Sequence, residues 1–223
     1  MRNAVRNAVR PAPRYINPGR LWHLTSDATA LLRDGWDSRR SSDTLYGHGM
    51  AVSNCPDEWI EIAELGGSDV VSVQLPPGAK VLDLYATFES VNPDEIPAVR
   101  EWSIQQGLTK PSQAWRIDYT DNEEDGEEVE RYMVFNTEAE ALAEAADQEG
   151  AIITGPLDSI VGVQKQNGHG WGQDLLRSYV AANYPEVAVV WYADRLDPAI
   201  LSAPQGYVIP GWERRVKLRL SAN

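Results

Sequence analysis

Val187 to Tyr192 (VAVVWY) is an almost continuously apolar run of β-branched and aromatic residues. Such a run is expected of a strand buried on both faces, so the chain must build a sheet with a covering layer above and below it. Several shorter segments supply partners. Leu21 to Thr25, Met50 to Ser53, Gly206 to Ile209 and Val216 to Leu220 have strand composition. Val70 to Leu75 (VVSVQL) and Val81 to Tyr85 (VLDLY) alternate as half-buried strands, and Pro76-Pro77-Gly78 between them predicts that they lie side by side. Helices are expected after the capping pair Ser26-Asp27 as far as Gly35, from Pro56 to Leu65, from Pro97 to Gln106, and from Gln173 to Ala182. Strands and helices follow one another without regular βαβ alternation, which predicts α+β rather than a doubly wound parallel sheet. With 223 residues, of which 43% are hydrophobic, one core is expected.

Residues 115–150 read as a unit of their own. Trp115 to Tyr119 and Glu130 to Phe135 are two strands joined by an acidic loop around Gly126, and Thr137-x-x-Glu140 is a capping-box pattern opening an Ala/Glu-rich helix that stops at Gly150. The loop lacks the fixed order of a calcium-binding loop and joins strands, so it is read as a solvated hairpin tip. From Ala151 onward come two short apolar segments, Ile152-Ile153 and Ile160 to Val163. The expected layout is a basic flexible arm over residues 1–20, followed by one domain over 21–223 with an insertion at about 110–150.

Charge decides which partners are open to the chain. The formal net charge is −13, yet residues 1–20 hold five Arg and no acid, and 13 acids fall between Asp118 and Glu149 against Arg131 alone. A conventional cationic nucleic-acid coat is excluded, because that affinity comes from Lys and Arg displacing counterions; nucleic acid is left only a local patch. Pro11, Pro13 and Pro18 argue against a long helix in the arm, which is read as mobile. Cys55 is the sole cysteine, so a Cys-based zinc cage and an intrachain disulfide are ruled out, and a reducing, cytoplasmic setting is the economical expectation. No run approaches the ~20 apolar residues of a membrane span.

Familiar site chemistries are missing. There is no G-x-x-x-x-G-K-[ST], no G-x-G-x-x-G between strand and helix, no H-E-x-x-H and no G-x-S-x-G elbow. His23, His48 and His169 are too widely spaced to give local support for zinc, and no metal is expected. Cys55 before Pro56 stands at a helix start where a thiol is activated more easily, but isolated cysteines usually serve packing.

A more specific signal is the order of two histidine-bearing segments. Leu21-Trp22-His23-Leu24-Thr25-Ser26 leads into a helix carrying Leu31-Leu32-Arg33-Asp34-Gly35-Trp36. Gly47-His48-Gly49-Met50-Ala51-Val52-Ser53 then precedes a Trp-containing helix. Over about residues 21–85 this resembles the N-terminal half of ADP-ribosyltransferases of the His-Tyr-Glu type, in which a strand presents Y-H-G-T or a similar string and G-x-G-x-Y-F opens the next strand. The resemblance implies a split antiparallel β-sheet core with NAD in a cleft between two small sheets. It places His23 on the adenosine ribose with Thr25 beside it, and Gly47 and Gly49, with Tyr46 and Ser53 nearby, around the nicotinamide. The family's stacking Tyr falls at Ala51, so either Tyr46 or a Trp supplies the stack or the pocket is altered. The family's catalytic Glu, which should begin a late strand, falls at Gln205, with Glu213 ranked second and Glu130 also a substitute.

Two functions follow as expectations. One is an NAD-dependent ADP-ribosyltransferase that modifies a macromolecular acceptor, with His23, Gln205 and Glu213 as its catalytic candidates and the acidic insertion facing the target. The other is a non-catalytic interaction or inhibitor protein whose acidic surface occupies a basic or nucleic-acid-binding partner; the missing Tyr and Glu motivate it.

Overall fold

Every residue of the VAVVWY run is buried, and in the computed structural model it is the third strand of an eight-stranded sheet. The structure describes residues 10–37, 49–62, 68–122, 128–148, 150–162, 171–192 and 205–220. The large sheet comprises β1 (Tyr15–Ile16), β2 (Leu21–Thr25), β3 (Met50–Ser53), β4 (Asp69–Gln74), β5 (Lys80–Asp83), β9 (Val187–Tyr192), β10 (Gln205–Val208) and β11 (Lys217–Leu220), in the order β1-β5-β9-β10-β3-β2-β4-β11. Its neighbours are antiparallel except β5 and β9, which run parallel. With six helices among the described residues, the class is α+β.

Two expectations about the VVSVQL and VLDLY segments are corrected. The second strand stops at Asp83, whose carboxylate accepts from Ala86 N–H at 2.8 Å and caps α3 (Leu84–Phe88); a short polar side chain that bonds the backbone ahead ends the strand there. Nor do the two strands pair. β4 lies between β2 and β11, and β5 between β1 and β9. Leu75 to Ala79 therefore link strands five places apart. Six Cα steps reach at most about 22 Å, whereas five inter-strand spacings on a flat sheet need about 24 Å. A turn in the link, with Ala79 N–H donating to the Pro76 carbonyl at 3.1 Å, shortens that reach further. The sheet must coil to bring β4 towards β5.

Helix α1 (Ala28–Asp34) starts where Asp27 accepts from Ala30 N–H at 2.8 Å and ends where Gly35, at φ +76°, donates to Leu31 O at 2.9 Å. Its Ala28 and Leu31 pack on Val71, with Trp36 and Leu218 alongside. Helix α6 (Trp171–Asn183) buries Leu175, Leu176, Tyr179 and Val180. Tyr179, Tyr184 and Phe88 meet edge to face. Helix α2 (Pro56–Ile62) follows β3, and α4 (Pro97–Gln105) follows a 3-10 turn over Pro93–Glu95.

Of the segment expected to be a flexible arm, residues 10–20 are laid along the sheet. Tyr15 and Ile16 pair with Leu82 and Val81, Pro11 O accepts from the Tyr184 hydroxyl at 2.9 Å, and the Arg10 guanidinium lies 3.8 Å from the centre of the Tyr184 ring. Prolines exclude helix but not an edge strand, which is where this segment goes.

The chain divides into two compact units, residues 1–99 with 166–223, and residues 100–165, the second of which contains the stretch read from sequence as an insertion at about 110–150. The second unit holds a three-stranded antiparallel sheet of β6 (Thr109–Asn122), β7 (Glu128–Phe135) and β8 (Ile152–Gly162), in the order β7-β6-β8, with α5 (Glu138–Ala145). The hairpin and the capping box are present: Glu140 N–H donates to Thr137 Oγ1 at 3.2 Å, and Thr137 N–H to Glu140 Oε2 at 3.1 Å. The two short apolar segments after Ala151 belong, as far as Gly162, to one strand, which pairs with β6 on both sides of a register shift at Gly155-Pro156; Val163 lies outside the described residues. Ala114, Ile117, Ala141 and Ile160 are the buried apolar residues among the described residues of this unit.

Candidate functional site

One row of residues crosses six strands of the large sheet. Tyr192 of β9 is the Cα partner of Gln205, Gln205 of Ser53, Ser53 of Trp22, Trp22 of Ser72, and Ser72 of Arg219. Directly opposed residues of antiparallel strands share a face, so these six side chains stand on the same side of the sheet. The alternation of each strand adds Tyr207 and Ala51, themselves partners, to that side. Two residues singled out from sequence, Gln205 and Ser53, are thus immediate neighbours. Ser53 is fully buried, and its Oγ accepts from Cys55 N–H at 3.0 Å.

Helix α6 lies on this face. Arg177 is 1% exposed, forms an ion pair with Asp174, and holds its guanidinium 5.1 Å from the centre of the Tyr207 ring. The Tyr192 hydroxyl donates to Gln173 Oε1 at 2.6 Å, while Gln173 Nε2 donates to the Val91 carbonyl at 3.1 Å. Tyr192 and Tyr207 pack edge to face with centroids 5.6 Å apart. Gly49 precedes β3 on the same side. A Cβ there would stand 3.1 Å from Arg177 Nε and 3.2 Å from Tyr207 Cδ1, so the space the missing side chain leaves is filled by these two residues.

His23 and Thr25 lie on the other face. His23 alternates with Trp22 and is partnered with Val71, in the layer covered by α1; its ring meets Trp36 edge to face at 5.3 Å. Its Nδ1 donates to the Ala51 carbonyl at 2.7 Å, and burial holds its pKa below the usual 6.5. The imidazole is therefore neutral near pH 7, protonated at Nδ1, with Nε2 as an acceptor. Thr25 Oγ1 accepts from Asp27 N–H at 3.2 Å, shaping the turn into α1. The pleat thus separates His23 from Gln205, although they belong to strands only two apart.

Glu213 is tied into the turn after β10, where its Oε2 accepts from Gly211 N–H at 2.8 Å. Glu130 is exposed on β7 of the second unit. Tyr46 and Gly47 lie outside the described residues, as does the centre of the acidic loop. The residues that sequence reasoning missed are Gln173, Asp174, Arg177, Tyr192 and Tyr207. Their available signal was the i, i+3 spacing of Asp174 and Arg177 on a helix, which ordinarily marks a solvated ion pair.

Among the described residues, no group of three His, Cys, Asp or Glu side chains stands close enough to hold a metal ion, and no helix is long and apolar enough to cross a membrane. No protein-family model, curated protein or solved structure matches the chain.

Proposed function

We propose that the chain is an NAD-binding protein of ADP-ribosyltransferase type, acting on a macromolecular acceptor at the partly exposed Gln205, with the buried Ser53 and the filled position at Gly49 behind it. The observation that supports this reading is the register: Gln205 opens a late strand and is the direct partner of Ser53, on the strand that Gly49 leads. Those are the positions the resemblance assigns to the catalytic carboxylate and to the nicotinamide pocket. In this arrangement Gln205 orients a ribose hydroxyl by hydrogen bonding. His23 acts from below as a positioning residue, fixing β2 to β3 through the Ala51 carbonyl.

Isothermal titration of NAD into the full chain, followed by incubation of labelled NAD with protein, DNA and RNA acceptors, tests the proposal. Binding heat and transferred label are expected; neither heat nor label would end it.

One observation favours a second reading, a non-catalytic interaction protein. No carboxylate stands in the six-residue row from Tyr192 to Arg219, so the charge that would stabilise an oxocarbenium-like transition state is missing there. Under this reading NAD is not turned over, and Glu128 and Glu130, exposed on β7, attract a basic partner. Complex formation would weaken steeply with salt. Glu128→Gln with Glu130→Gln leaving every partner contact unchanged would count against it.

A further inference from the structure

At the β11 edge the face that carries the row is no longer covered. Below it Leu21, Val71 and Val73 are buried in the core. Above it Gln74, Lys217 and Arg219 are exposed, and Trp22 and Ser72 are half-buried. An antiparallel sheet with one face packed and one solvated alternates apolar residues inward with polar residues outward. Here the open side is basic. Gln74 is the partner of Lys217, and Ser72 of Arg219. Arg20, immediately before β2 and exposed, lies on the side of Trp22 by alternation.

This surface opens into a groove of about 920 Å³. Arg20, Ser72, Gln74 and Arg219 line one part of it; Tyr15 and Lys80 line another. The lining holds three cations and no carboxylate, in a chain of net charge −13. The groove is also tied to the row, since Asn54, next to Ser53, donates from Nδ2 to the carbonyl of Pro18, a lining residue, at 3.3 Å. Glu186 stands beside the Tyr15 end of the lining, where it takes the Tyr15 hydroxyl.

We propose that this groove and the adjoining basic face bind single-stranded nucleic acid, the strand's phosphates pairing with Arg20, Arg219, Lys217 and Lys80. Lys217 and Arg219 are two residues apart on one strand, about 7 Å at 3.4 Å per residue, a repeat that an extended sugar–phosphate chain can follow. Gln74 supplies hydrogen bonds between the cations, Trp22 and Tyr15 supply aromatic surface, and the Ser72 hydroxyl, donating to the Arg219 carbonyl at 3.2 Å, holds β11 in place. Cations interleaved with aromatic and hydrogen-bonding groups are the usual composition of a single-strand platform, whereas an acidic peptide has no use for the aromatic members. The role of the strand as an ADP-ribose acceptor rests on the NAD reading; its binding does not.

The test is fluorescence anisotropy of a short labelled single-stranded oligonucleotide with the full chain, between about 50 and 200 mM salt. Wild type is expected to bind with a steep salt dependence. Arg20→Ala with Arg219→Ala is expected to weaken binding at low salt at least tenfold and to flatten the log–log slope by about 0.7 per lost phosphate contact, and Lys217→Ala to flatten it further. All three residues are exposed, so the fold is expected to survive, as circular dichroism will verify. Absence of binding, binding by the double variant equal to wild type, or equal competition by polyglutamate overturns the proposal. NAD titrated into the same proteins keeps the two readings apart: oligonucleotide binding without NAD binding leaves the groove standing and removes the transferase.

Discussion

Gln205 and Ser53 face one another as direct Cα partners across β10 and β3, on the side of the sheet away from His23. If the site is of ADP-ribosyltransferase type, what it lacks is a negative charge at Gln205. Gln205→Glu restores that charge in nearly the same volume, at a partly exposed position where ionisation is tolerated. Release of nicotinamide from NAD is expected to rise at least tenfold, about 1.4 kcal/mol of barrier, while Gln205→Ala lowers it. Equal rates for wild type and Gln205→Glu would remove Gln205 from the reaction.

Two glycines beside the site differ in what surrounds them. A Cβ on Gly206 would stand 2.6 Å from Trp191 Cε3, 2.8 Å from the Val190 carbonyl oxygen and 2.9 Å from Val189 Cγ1, and the backbone oxygen has no rotamer with which to retreat. At Gly49 the nearest atoms are side-chain atoms at 3.1 to 3.2 Å. Gly49→Ala is expected to cost about 1–2 kcal/mol by overpacking, and Gly206→Ala distinctly more, with loss of the Gln205 register. Urea denaturation orders the two; a milder effect at Gly206 would contradict the packing described.

The sequence carried most elements of the fold because periodicity and caps are local. VAVVWY, the Asp27 cap and the Thr137–Glu140 box all lie where composition puts them. Pairing was less legible. Nothing within VVSVQL and VLDLY reveals that five strand spacings separate them, since their partners come from residues 15–25 and 187–220. The site split for the same reason. One-residue alternation decides which face a side chain takes, so His23 parts from Gln205 while its neighbour Trp22 joins the row. Arg177 was hidden because a basic residue on a helix ordinarily reads as solvent-facing, and the packing of Gly49 and Tyr207, distant in sequence, against it is not a local signal.

Arg177 also makes a stability prediction. Its side chain is 1% exposed, whereas its ion-pair partner Asp174 is 39% exposed, so water screens one end of the pair and not the other. Arg177→Ala leaves a hole beneath Gly49 and Tyr207 and is expected to cost roughly 3 kcal/mol, more through lost packing than lost charge. Arg177→Met, which keeps the volume, is expected to recover most of that loss. If the Met variant is as unstable as the Ala variant in chemical denaturation, the guanidinium's polar contacts dominate instead.

His23 gives a pH dependence whose sign is fixed. Burial lowers its pKa in the folded protein below 6.5, the ordinary value it regains on unfolding. Between those two values the unfolded chain holds a proton that the folded chain does not, so stability falls as pH falls. The contribution is fully present above 6.5 and is lost progressively as the solution is acidified towards the folded value. Carboxylates titrate at the lower end of the same window, so wild type is compared with His23→Asn, whose amide can still donate to the Ala51 carbonyl but does not ionise. The melting temperature of wild type is expected to drop faster than that of the variant between pH 7 and pH 5, because only wild type must exclude the proton. Parallel melting curves across that range would mean that His23 is solvated, and that the contact between its ring and Trp36 does not persist in solution.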